Sequence, residues 1–91
     1  MDALQGRVYK IEGRVQGVGY RYFAQKAAKE VGVTGWVRNL DDGGVEAHAV
    51  GTKAQLEDFE SRLRVGPRAS DVRSVEVREV AVFEASGFYI R

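Results

Sequence analysis

A chain of 91 residues, 44% of them apolar, can close around one modest core without covalent staples, so a single domain over residues 1–91 is expected. It contains no cysteine, which excludes disulfides, thiolate catalysis and cysteine-bound zinc, and suits the cytoplasm. Its 14 bases and 13 acids leave a net charge of +1, too little for a general nucleic-acid binder. No apolar run reaches the roughly 20 residues needed to cross a bilayer, and the start of the chain lacks the charged and apolar blocks of an export signal.

Residues 7–13 alternate, with Tyr9 and Ile11 on one face and Val8, Lys10 and Glu12 on the other, as in a strand half-buried against helices. A glycine-rich stretch, 13–19, follows. Phe23, Ala27 and Val31 then recur every four residues beside Ala24 and Ala28, predicting an amphipathic helix that Gly32 closes. Residues 33–40 are rich in β-branched and aromatic side chains, and the turn residues Asp41-Asp-Gly-Gly44 lead into a second alternating run, Val45, Ala47 and Ala49, so a β-hairpin is expected. Thr52 and Gln55 form a capping box ahead of the apolar stripe Leu56, Phe59 and Leu63, a second helix ended by Gly66-Pro67. From Val72 to Val82 valines alternate with charges, with a phase slip between Val77 and Val80 that predicts a bulge near Glu79. Residues 87–91 add a short last strand. The order β-α-β-β-α-β predicts an α+β, ferredoxin-like (split βαβ) sandwich, with an antiparallel sheet of four to five strands and two helices on one face.

In this arrangement the first two strands run parallel, with the strand starting near Val45 antiparallel between them. Their C-terminal ends then share one edge of the sheet. That edge carries the loop Val15-Gln16-Gly17-Val18-Gly19-Tyr20-Arg21 and also Asn39, about 10 Å apart at the backbone given the spacing between strands. Gly17 and Gly19 permit backbone angles that turn successive N–H groups inward, and a helix start adds free N–H groups and a favourable dipole, so the loop is a candidate anion cradle. No acid occurs between Glu12 and Glu30, whereas Arg14, Arg21 and Lys26 do. The guanidinium of Arg21 could grip two phosphate oxygens. Neither a dinucleotide fingerprint nor a P-loop fits: the third glycine of the first and the Gly-Lys-Ser/Thr of the second are absent.

The run Gly13-Arg-Val-Gln-Gly-Val-Gly-Tyr-Arg21 resembles the acylphosphatase signature, and Gly35-Trp-Val-Arg-Asn39 resembles that family's second block at the expected distance. The resemblance extends over the whole chain, including the closing Phe88-Tyr-Ile-Arg91. It implies that Arg21 binds phosphate together with the backbone amides of residues 15–20, that Asn39 positions the attacking water, and that the substrate is an acyl phosphate hydrolysed to a carboxylate and inorganic phosphate. Position 20 is more often phenylalanine in the family; Tyr20 keeps the ring and adds a hydroxyl.

That chemistry can run without a protein acid. The departing carboxylate has a conjugate acid with a pKa of roughly 4 and needs no proton at neutral pH. Holding the phosphoryl group, neutralising its equatorial oxygens and aligning a water are what remain. No cofactor and no metal are expected: Asp41 and Asp42 read as turn residues, and the single histidine, His48, falls on the strand face turned away from the helices, as a surface residue. A monomer that engages neither nucleic acid nor membrane is expected.

Two other classes fit parts of the pattern. A ferredoxin-like RNA-binding module would need aromatics on the open sheet face, where Trp36 stands alone; its expected role is packing against the last strand. A phosphate-sensing or carbamoyl-phosphate-handling domain is suggested by acylphosphatase-like domains inside larger maturation enzymes, but a chain of one domain's length favours a free-standing hydrolase.

Overall fold

Alternation in the sequence becomes strand pairing in the computed structural model, which describes residues 3–91. The elements are β1 (Gln5–Arg14), α1 (Tyr20–Val31), β2 (Thr34–Asn39), β3 (Val45–Gly51), α2 (Lys53–Val65), β4 (Asp71–Val80) and β5 (Phe88–Ile90). They form one five-stranded sheet in the order β4-β1-β3-β2-β5. The first four strands pair antiparallel, whereas β5 runs parallel to β2, so the sheet is mixed. A parallel neighbour cannot follow from a tight turn. The chain instead crosses from β4, at the far edge of the sheet, through residues 81–87 to reach β2.

Both helices cover one face. Tyr9, Ile11, Val37, Val45, Ala47 and Ala49 project from the sheet toward Ala24, Ala27 and Ala28 of α1 and Leu56, Phe59 and Leu63 of α2, all of them buried. The small side chains where α1 meets the sheet allow close approach, and the larger ones of α2 fill the other half of the layer. Phe59 is central: its ring meets Tyr9 and Phe88 edge-on, each with centroids 5.6 Å away. The expected Thr52 capping box forms in full, and Gly32 caps α1 by donating to the Ala28 carbonyl at 2.8 Å.

The bulge lies elsewhere than near Glu79. Between Glu12↔Ser74 and Gly13↔Val72 the register with β1 skips Arg73, so Val72 and Val75 share the helix face despite being three residues apart. Opposite the bulge, a side chain at Gly13 would collide with the Asp71 carbonyl oxygen. Val77 and Val80 alternate regularly; Val77 stays 40% exposed because β4 is an edge strand reaching past the helices.

On the open face, His48 is no isolated surface residue. Its ring stacks on Trp36 at 4.6 Å, Phe83 leans on Trp36 at 4.8 Å, and the Arg91 guanidinium lies 4.1 Å above the indole. Glu46 accepts from His48 Nε2 at 2.8 Å and from Arg38 Nη2 at 2.9 Å. Burial works to raise the Glu46 carboxyl, but these two partners outweigh it and hold the group below its ordinary value.

Two core tyrosines hang from α2 by their hydroxyls: Tyr9 donates to the Leu56 carbonyl at 3.1 Å and Tyr20 to the Leu63 carbonyl at 2.7 Å. Burial pushes the Tyr9 phenol up to about 12 against a smaller opposing pull from Arg7, and burial alone raises Tyr20. A raised acid favours its neutral form in the folded state, so this stability is intact below the ordinary phenol value of 10.0 and is lost as pH rises toward 12. Alkaline unfolding accompanied by phenolate absorbance is therefore expected in that window. Tyr20→Phe should cost about 1 kcal/mol at neutral pH and make melting temperature fall less steeply above pH 10.0; an unchanged alkaline slope would refute this assignment.

Candidate active site

Strand register brings the two motifs to one edge. Ile11, Val45 and Asn39 stand in a single row across β1, β3 and β2, so the loop leaving β1 and the end of β2 share the C-terminal edge of the parallel pair. Asn39 pairs with Val45, whose side chain is in the core, and so lies on the helix side of the sheet, where α1 begins. It is exposed just beyond the end of that core.

Two apolar side chains anchor the loop. Val15 is buried and Val18 packs against the core, while Gly17 and Gly19 are exposed. Both glycines are left-handed, with φ of 74° and 78°, and an added Cβ on either would meet nothing within 4 Å. Backbone conformation, not crowding, therefore demands glycine at these positions. Gly19 is the N-cap of α1, and no side chain caps the helix. The first helical bond is from the Phe23 N–H to the Gly19 carbonyl at 3.0 Å, which leaves the N–H groups of Tyr20, Arg21 and Tyr22 without partners inside the helix. No acid occupies the first turn. Unpaired amides, a positive helix end and left-handed glycines together suit an anion.

Arg21, in that first turn, is half-buried and donates from Nη1 to the main-chain oxygen of Arg91 at 3.0 Å. One turn further along, Gln25 donates to the Phe88 carbonyl at 3.0 Å, so α1 is fastened to β5 beside the arginine. The remaining guanidinium donors of Arg21 extend the set of N–H groups at the helix start. The main chain of Tyr20 lies at this helix start, and its hydroxyl is spent on Leu63. The Gln16 side chain, which the sequence reading used only for its amide N–H, bonds the β2–β3 hairpin at Leu40 and Gly44. No periodicity in the sequence signals that contact. The hairpin turn is closed by Asp42, whose carboxylate accepts from the Gly44 N–H at 2.9 Å and from Lys10 at 2.9 Å.

A cleft of about 740 Å³ lined by residues including Thr34, Trp36, Phe83 and Tyr89 lies on the open face, on the opposite side of the sheet from α1 and the cradle. Among the described residues, no group of three or more His, Cys, Asp or Glu side chains is placed to hold a metal, and no helix is long and apolar enough to cross a membrane.

Two helices on one face of a five-stranded mixed sheet, with an anion-suited loop between the first strand and first helix, define a ferredoxin-like α+β protein. The acylphosphatase family profile matches residues 7–90. An acylphosphatase of Solibacter usitatus is 51% identical over 87 residues, covering 96% of this chain and 91% of the relative. The crystal structure of the Bacillus subtilis acylphosphatase superposes with a TM-score of 0.90 at 40% identity, covering 98% of this chain and 99% of that one. An acylphosphatase structure from Coxiella burnetii gives 0.93 at 34% identity, covering 97% and 93%. The chain belongs to the acylphosphatase family.

Proposed function

We propose that the protein hydrolyses the carboxyl-phosphate bond of acyl phosphates without a metal, using Arg21 and the amides of Val15, Gln16, Gly17, Val18, Gly19 and Tyr20 to hold the phosphoryl group and Asn39 to position the attacking water. The observation that carries this reading is the uncapped, acid-free start of α1 facing the same sheet edge as Asn39. The water oxygen forms a bond to phosphorus as the bond to the acyl oxygen breaks. The carboxylate leaves unprotonated, and one water proton passes to a phosphate oxygen of the substrate itself. Charge on the equatorial oxygens is met by the guanidinium and by amides already oriented before the reaction. A grip confined to the phosphoryl end tolerates varied acyl groups, and the protein acts as a cytoplasmic monomer.

The test is release of benzoate and phosphate from benzoyl phosphate by purified protein with a metal chelator present. Chelator-resistant hydrolysis is expected. Phosphate binding without turnover would replace the hydrolase with a phosphate-sensing domain.

A further inference from the structure

The phosphate loop and the hairpin that follows Asn39 come from distant parts of the chain, and one side chain joins them. Gln16 Nε2 donates to the Leu40 carbonyl at 2.7 Å and to the Gly44 carbonyl at 2.8 Å. Both partners are carbonyl oxygens, so only the NH2 end of the amide can satisfy them, and its two protons are fully used. The same two residues close the hairpin: the Leu40 N–H donates to the Gly44 carbonyl at 2.8 Å, and the Gly43 N–H to the Leu40 carbonyl at 3.2 Å. Gln16 thus grips both ends of the turn, one of them the residue directly after Asn39.

We infer that Gln16 is a positioning residue for hydrolysis: its main chain belongs to the phosphate cradle while its side chain fixes where Asn39, and so the attacking water, stands relative to the phosphoryl group. This rests on the acylphosphatase reading above. In-line attack needs the water, phosphorus and leaving oxygen aligned, and a displacement of about 1 Å can cost on the order of a hundredfold in rate. The cradle does not need this side chain for its own shape, because the burial of Val15, the packing of Val18 and the left-handed glycines set its course. Loss of the tether should therefore impair alignment more than phosphate binding.

Gln16→Met keeps the length and shape of the side chain and removes both donors. Benzoyl phosphate turnover should fall by about 10- to 100-fold, with inorganic phosphate inhibition changed only slightly. A double-mutant cycle separates positioning from general loosening. Made in an Asn39→Ala background, where no amide remains to be aligned, Gln16→Met should change kcat by less than about twofold. Equal losses in both backgrounds, a parallel loss of phosphate affinity, or full turnover in Gln16→Met would each overturn the inference while leaving the hydrolase reading intact. A wild-type protein that fails to hydrolyse benzoyl phosphate would overturn both.

Discussion

Arg21→Gln is expected to reduce turnover of benzoyl phosphate by about a thousandfold or more, the scale seen when an arginine is removed from a transferring phosphoryl group, and to weaken inhibition by inorganic phosphate as well. Glutamine is shorter, neutral and cannot present the paired donors of a guanidinium. Arg21 is held from the side by the main-chain oxygen of Arg91, so its fork has little orientational freedom to lose on binding. In the proposed reaction the phosphoryl group that Arg21 holds is dianionic and stays charged throughout, which is why both ground-state binding and turnover should suffer. Steady-state kinetics with phosphate as a competitive inhibitor give both quantities. Equal phosphate affinity in the variant and wild type would remove Arg21 from the cradle.

Asn39→Ala should behave differently. Its amide lies at the end of β2, two strands from the loop, and it can align a water without contributing to the grip on phosphate. Turnover should drop by about 100- to 1,000-fold, comparable to deleting one oriented hydrogen-bonding group from an active site, while phosphate inhibition changes only a few-fold. Asn39 is exposed and outside the core, so melting temperature should hardly move. Undiminished turnover would exclude Asn39 as the group that orients the nucleophile. The contrast between the two variants, one losing affinity and rate and the other rate alone, is the kinetic signature of separate holding and aligning parts.

Much of this arrangement was legible in the sequence because local physics wrote it there. The alanines and apolar residues of α1, the Thr52–Gln55 capping box and the parity of Val45, Ala47 and Ala49 each obey a period that the fold then keeps. The i, i+4 spacing of acids and bases along α2 likewise yields ion pairs, at 3.2 Å for Asp58 with Arg62 and 3.1 Å for Glu60 with Arg64, and Arg62 also reaches Glu30 of α1 at 2.9 Å. What was not legible depends on partners remote in the chain. The bulge falls at Arg73 because of how β4 meets β1 at Gly13, whereas valine spacing alone pointed to Glu79. The parallel direction of β5 is set by where the crossing from β4 delivers the chain, and the stacking of Trp36 on His48 needs the β2–β3 register. For the candidate site, the two motifs name residues that the fold brings to one sheet edge. The contacts that hold Gln16 and Arg21 could not be read from them, because each spans long stretches of sequence to a main-chain oxygen that has no residue-type signature.

The strand order has a consequence for how this protein comes to be native. β1 sits between β3 and β4 and pairs Gly6 with both Val50 and Val80, so the first strand cannot complete its ladders until segments from across the chain have arrived. Such topologies pay loop-closure entropy early and fold in milliseconds to seconds rather than microseconds. The loop is suspended between β1 and α1, with Val15 in the core and Val18 packed against it, so its course is fixed only once the non-local pairings of β1 have assembled that core. Phosphate bound there, as the proposed function requires, would recognise the native state and no earlier one, and at about 100 times its dissociation constant it would deepen the native basin by roughly 2.7 kcal/mol. The product of the proposed reaction would then also be a folding ligand.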